Sequence, residues 1–148
     1  MNCRQETEKI MITYSNQIDV KEYNEMRGAV DWKMLDLEQA QRGLDNSEYV
    51  IAAYDGDKAI GTARIIGDGG YMYLIADVMV LPEYQKSGIG RHMLTEINKW
   101  FEERAKDGSC IMINLMATSG NEGFYAKFGF TARPNDTMGA GMVKWLNS

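Results

Sequence analysis

The sequence has little of what several protein classes require. It carries two cysteines in 148 residues. Cys3 and Cys110 form no CxxC pattern and no second ligand pair, so neither a disulfide framework nor a metal site is expected. No apolar run approaches the roughly 18 residues that a membrane helix needs, which sets the membrane aside. The opening MNCRQETEKI lacks the apolar segment of a secretory signal. Together these predict a reduced, cytoplasmic protein. Positive charge is also short: 16 Lys and Arg stand against 21 Asp and Glu, a net charge of -5. The basic footprint of a nucleic-acid binder is therefore missing, and no nucleic-acid partner is expected.

What is present describes an ordinary globular chain, with 45% hydrophobic and 25% charged residues and two prolines to mark linkers. A chain of this length buries roughly 68 to 70% of its unfolded surface, enough for a real core. One domain over 1–148 is expected, with 1–8 as a flexible extension. The pattern reads as a strand over 9–14, helices over 19–30 and 35–44, and three β-rich runs between Glu48 and Val80 broken at DGDK and GDGG. A long amphipathic helix follows from Gly88, its apolar stripe set by Ile89, Met93, Leu94, Ile97, Trp100, Phe101 and Ala105. His92, the single histidine, falls on its polar side and reads as a surface residue. A strand over 110–118, a short helix in NEGFYAKFG and two closing strands complete a mixed sheet with helices packed on it. The helical crossover between 71–80 and 110–118 should make those two strands parallel.

The informative stretch is VMVLPEYQKSGIGRHM, from 78 to 93. Pro82 ends a strand, because it has no N–H for the ladder, and Gly88 and Gly90 turn the backbone sharply into a helix. The first amides of that helix have no internal partner and lie at the positive end of its dipole, which suits an anion such as a pyrophosphate. Lys86 and Arg91 would add charge. The GxxxxGK[ST] phosphate loop is absent, and Met93 stands where the dinucleotide pattern GxGxxG needs its third glycine.

Gln85, Gly88 and Gly90 instead match [QR]xxGx[GA], and NEGFYAKFGF places Asn121, Tyr125, Gly129 and Phe130 in a second motif. In these two motifs the chain resembles the GNAT superfamily of N-acetyltransferases. The resemblance covers almost everything after residue 10, including the Asp31–Trp32 pair where many members carry Gly-Trp. It implies an α/β fold with a central mixed, mostly antiparallel sheet, helices on both faces, and a parallel strand pair at an acyl-CoA site. It further implies acetyl-CoA as co-substrate and no metal. The arm of acetyl-CoA would lie along Val78, Met79 and Val80, and its pyrophosphate on Gln85, Lys86, Ser87, Gly88, Ile89, Gly90 and Arg91. Asn121 would contact the cofactor or cap its own helix.

Acetyl transfer needs a neutral amine, yet a lysine-like amine is free base in only about one molecule in 2,500 at pH 7. Tyr125 matches the family's usual general acid for the leaving thiolate, and a strand amide near Val80 its donor to the oxyanion. Its bland alternative is a core aromatic beside Phe124 and Phe128. Asp77 interrupts an apolar strand and faces away from Val78 and Val80. It is equally readable as the amine's base, as a site for a cationic acceptor, or as a hydrogen-bonded structural carboxylate. Trp32 and Asn114 are further candidates for the acceptor side, although Asn114 can as well satisfy a backbone group. Between Ser15 and Val50 eight acids face four bases, which favours a cationic amine or simply marks a solvated helix face.

Three functions follow in order: a small-molecule amine acetyltransferase, a protein or peptide acetyltransferase, and a non-catalytic acyl-CoA sensor. Dimers are common in the family, so a homodimer is one partner to consider.

Overall fold

The structure, a computed structural model, describes residues 11–147, which fall into two compact units divided after Asn114. The expected extension over 1–8 and the start of the 9–14 strand lie outside the described residues. In chain order the elements are β1 (Ile12–Ser15), α1 (Val20–Ala29), α2 (Leu37–Asp45), β2 (Tyr49–Asp55), β3 (Lys58–Gly67), β4 (Met72–Val80), a 3₁₀ turn (Pro82–Tyr84), α3 (Ile89–Arg104), β5 (Met112–Leu115) and α4 (Glu122–Ala126). The strands form one sheet in the order β1-β2-β3-β4-β5, antiparallel except for the parallel pair β4 and β5.

Local chemistry fixes the helix starts. Asp19 caps α1 by accepting from the amides of Lys21 and Glu22 at 2.9 and 3.3 Å, and Asp36 caps α2 by accepting from Gln39 at 3.1 Å. The second helix therefore begins after Asp36 rather than at Leu35. Alternation along β3 then sends its side chains to two faces. On one, α3 lays Ile89, Met93, Leu94, Ile97 and Phe101 against the sheet, all buried. A Cβ built on Gly61 would stand 3.1 Å from Ile89 Cγ2, so glycine is what lets the first turn of α3 approach β3 closely. Each such buried aliphatic side chain contributes about 1.5 to 3 kcal/mol. On the other face, Arg64 reaches toward α2 and α1, where Tyr23 and Met26 are buried.

The β3–β4 ladder is broken once. Ile65 pairs with Ile75 and Arg64 with Ala76, but Thr62 pairs with Met79 and Gly61 with Val80. Ala63 is thus opposed by two residues, Asp77 and Val78, and Asp77 takes φ +54°. This bulge reverses the alternation of β4.

In the second unit, α4 carries Phe124 and Tyr125, with ring centroids 5.1 Å apart, and Phe128 and Phe130 complete the cluster. The two strands expected after Gly129 are not formed, since 131–147 contain no strand. Local bonds hold part of this segment instead. Asn135 Oδ1 accepts from the amides of Thr137 and Met138 at 3.0 and 2.9 Å, and Arg133 Nε donates to Gly139 O at 2.6 Å. Side-chain bonds of this kind compete with ladder pairing, which the apolar pattern of Met142, Val143, Trp145 and Leu146 could not reveal.

Gly67 tests the core. An added Cβ would lie 2.3 Å from Cδ1 of Tyr73, a buried ring packed edge-on against Trp100 and Phe101. Gly67→Ala should lower the unfolding free energy by about 1 to 3 kcal/mol. A urea midpoint unchanged at constant slope would contradict this packing.

Candidate functional site

After Val80 the chain leaves the sheet through the 3₁₀ turn and enters α3 across two residues of positive φ, Lys86 at +64° and Gly88 at +87°. Left-handed backbone is costly for lysine and free for glycine. Side chains close the turn: Gln85 Nε2 donates to Val80 O at 3.0 Å, and Ser87 Oγ donates to Tyr84 O. The resulting helix start differs from those of α1 and α2. Both of those have an aspartate cap and an acid in the first turn, Glu22 or Glu38. α3 begins at Gly88 with no side-chain cap and no acid in its first turn. A Cβ at Gly88 would meet nothing within 4 Å, and Lys86, Ser87 and Arg91 are exposed around it. The amides and the dipole are thus left for an external anion.

Val78 and Val80 follow the bulge on the α3-facing side, and Met79 is buried opposite. β5 joins only the beginning of β4: Met112 N donates to Tyr71 O at 2.9 Å, and Asn114 Nδ2 to Tyr73 O at 3.3 Å. Asn114 therefore satisfies a strand carbonyl. With four residues in β5 against nine in β4, the ladder does not run the length of β4.

Asp77 is not a free carboxylate. Oδ2 accepts from Arg64 Nε at 2.7 Å and from Tyr23 Oη at 2.5 Å, and Oδ1 accepts from Arg27 Nη1 at 3.3 Å. Arg27 is also stacked near Trp32, 5.7 Å from its ring centre, so Trp32 and Asp77 belong to one cluster. Burial, and then the hydrogen bond to Asp77, raise the Tyr23 phenol above its ordinary 10.0. Sequence reasoning missed Tyr23, Arg27 and Arg64. The available signal was Arg64 itself, a cation inside the apolar run TARII, which requires a buried anion opposite.

In the second unit Asn121 occupies the N-cap position of α4, but its side chain donates to Thr118 Oγ1 at 2.6 Å and caps nothing. Tyr125 is buried, and desolvation raises its phenol above 10.0. Its ring packs on Phe124 and Phe130, while its hydroxyl enters no hydrogen bond among the described residues. Among the described residues no fully buried side-chain oxygen or nitrogen lacks a partner. His92 lies outside all of this, stacked on Tyr14 at 3.8 Å. Among the described residues no group of three or more His, Cys, Asp or Glu is placed to hold a metal.

Residues 45–132, more than half of the chain, match the family model described as the acetyltransferase (GNAT) domain. The chain belongs to the GNAT acetyltransferase family. A Staphylococcus aureus crystal structure, described as a protein of unknown function and probable acetyltransferase, superposes with a TM-score of 0.78 at 30% identity, over 91% of this chain and 100% of that one. An uncharacterized N-acetyltransferase ycf52 of Pyropia yezoensis is 25% identical over 90% of this chain and 77% of its own length. The chloroplastic serotonin N-acetyltransferase 2 of rice is 30% identical over 84% of this chain and 62% of its own length.

As a GNAT protein the chain is an acyltransferase, and the family implies acetyl-CoA as co-substrate. The residues present fit that molecule. The uncapped, acid-free start of α3 flanked by Lys86 and Arg91 suits a pyrophosphate, and the part of β4 beyond β5 suits an extended amide-bearing arm.

The Asp77 cluster gives a direct expectation. Asn tolerates positive φ as Asp does but withdraws the charge from two guanidinium groups that are only 12% and 17% exposed. Asp77→Asn should cost about 1 to 3 kcal/mol of stability. Equal urea stability of variant and parent would contradict the structural role.

Proposed function

We propose that the protein transfers the acetyl group of acetyl-CoA to a primary amine of a small molecule, by direct attack within a ternary complex. The observation that carries this reading is the open start of α3 at the end of β4, in a chain of GNAT lineage. Acetyl-CoA supplies the activated thioester. The backbone from Val78 to Val80 binds its arm, and Gln85 to Arg91, with Lys86, Ser87, Gly88, Ile89 and Gly90 between them, hold its pyrophosphate. Tyr125, whose phenol burial raises above its ordinary 10.0, donates its hydroxyl proton to the leaving thiolate and regains one, by way of water, from the attacking nitrogen. Asn121 lies one helical turn before it.

Asp77 takes a positioning role in this reading. Its oxygens are engaged by three donors, two of them guanidinium groups whose charge it balances. The family match runs across the boundary between the two units, which supports treating the chain as one acetyltransferase domain.

For the acceptor, a cleft of about 340 Å³ opens between α1 and the segment after β4, lined by Glu22, Glu25, Glu83 and Lys58 together with Met26, Ala29 and Leu81. Three carboxylates against one lysine, beside apolar side chains, favour a cationic amine with a hydrocarbon body. Among relatives, the rice protein is named for serotonin, a small amine, which agrees. A soybean relative 26% identical is named a histone acetyltransferase, so a protein or peptide amine is the second reading.

Thiol release from acetyl-CoA across polyamines, arylalkylamines, amino sugars, amino acids and lysine peptides separates the two. Turnover is expected with a cationic small amine. Exclusive turnover of peptides would install the second reading, and binding without any turnover would make the chain an acyl-CoA sensor. With the amine found, Tyr125→Phe should lower kcat by roughly a hundredfold and leave acetyl-CoA affinity unchanged. An unchanged kcat would remove Tyr125 from the acid role.

A further inference from the structure

The turn before α3 is a strained piece of backbone on an exposed surface. Lys86 has no glycine's freedom at φ +64°, and Gly88 follows two residues later at +87°. Such conformations persist only when surrounding contacts over-determine them. Two of those contacts lie within the segment, from Gln85 to Val80 O and from Ser87 to Tyr84 O. Both refer the turn to Val80 and Tyr84, so the second needs Tyr84 itself to be fixed.

Tyr84 is fixed from outside. Its hydroxyl donates to Asp55 Oδ2 at 2.5 Å, and Lys58 Nζ stands 5.9 Å from its ring centre. Asp55 and Lys58 are paired with each other at the closed end of the β2–β3 hairpin, and Asp55 is also paired with Ile12 of β1. Asp55 is thus set by two ladders, which makes it a rigid post. The hydrogen bond to its carboxylate comes first among the influences that raise the Tyr84 phenol above 10.0.

We infer that Tyr84 and Asp55 are positioning residues for donor binding: the hairpin post, acting through the Tyr84 hydroxyl, holds the 85–91 turn in its anion-ready shape before acetyl-CoA arrives. This rests on the reading that the turn takes the pyrophosphate. A preformed turn spares the ordering cost on binding, so loosening it weakens only a ligand that uses it. The arm-binding residues Val78 to Val80 precede the latch and are held in the β3 ladder.

The test compares two donors by their dissociation constants, with no acceptor present: acetyl-CoA, and S-acetylpantetheine, which has the arm but no phosphate. For Tyr84→Phe, acetyl-CoA affinity should fall about three- to tenfold, the scale of one lost charge-assisted bond at a partly exposed site. S-acetylpantetheine affinity should not change. Asp55→Ala should match Tyr84→Phe, the double variant should be no weaker than either, and Asp55→Asn, which keeps an acceptor oxygen, should recover most of the loss. Equal weakening of both donors would reduce the latch to general stability and overturn the inference, as would undiminished acetyl-CoA binding in Tyr84→Phe. A parent protein that binds the two donors equally would instead overturn the pyrophosphate reading, and the inference with it.

Discussion

The carboxylate of Asp77 sets the geometry on which the rest depends. It sits where one residue of β3 faces two of β4, in a backbone conformation that L residues rarely adopt, and three donors hold it there. Two of them, Tyr23 and Arg27, come from α1, and the third, Arg64, from the neighbouring strand. The bulge moves Val78 and Val80 onto the α3-facing side, and it does so at the strand that leads into the glycine turn. A single anion therefore ties α1, β3 and β4 together. Two guanidinium groups gain their counter-charge at the same time.

Much of the fold was legible because its signals are local. The apolar stripe from Ile89 to Phe101 has an unmistakable helical period, and Asp-Gly-Asp-Lys closes a hairpin, whereas the apolar pattern misses the Asp36 cap and starts α2 too early. The parallel pairing of β4 and β5 followed from the helix between them. What failed was non-local. The apolar pattern near the C-terminus predicts strands, but a strand exists only with a partner ladder, and 131–147 instead hold themselves through Arg133 and Asn135.

The site divides in the same way. The glycine turn was readable because backbone freedom, missing acids and flanking cations are written in adjacent residues. The environment of Asp77 was not, since its partners come from 54, 50 and 13 positions away. Without them the residue reads equally as a base, a site for a cationic acceptor or a structural carboxylate; with them it is an anion held by three donors. Asn121 shows the converse: the position is that of a cap, yet the side chain bonds Thr118, because a cap position alone does not decide the rotamer.

The proposed donor site rests on an asymmetry between helix starts. α1 and α2 satisfy their first amides with their own aspartates, and α3 leaves its amides open between Lys86 and Arg91 at the end of the longest-running idea in the sequence, a strand that becomes a turn that becomes a helix. The most direct measurement is a backbone amide spectrum of the protein titrated with acetyl-CoA. Saturable shifts concentrated at Val78 to Val80 and Gln85 to Arg91 are expected; shifts confined to other residues, or none at saturating acetyl-CoA, would contradict the account.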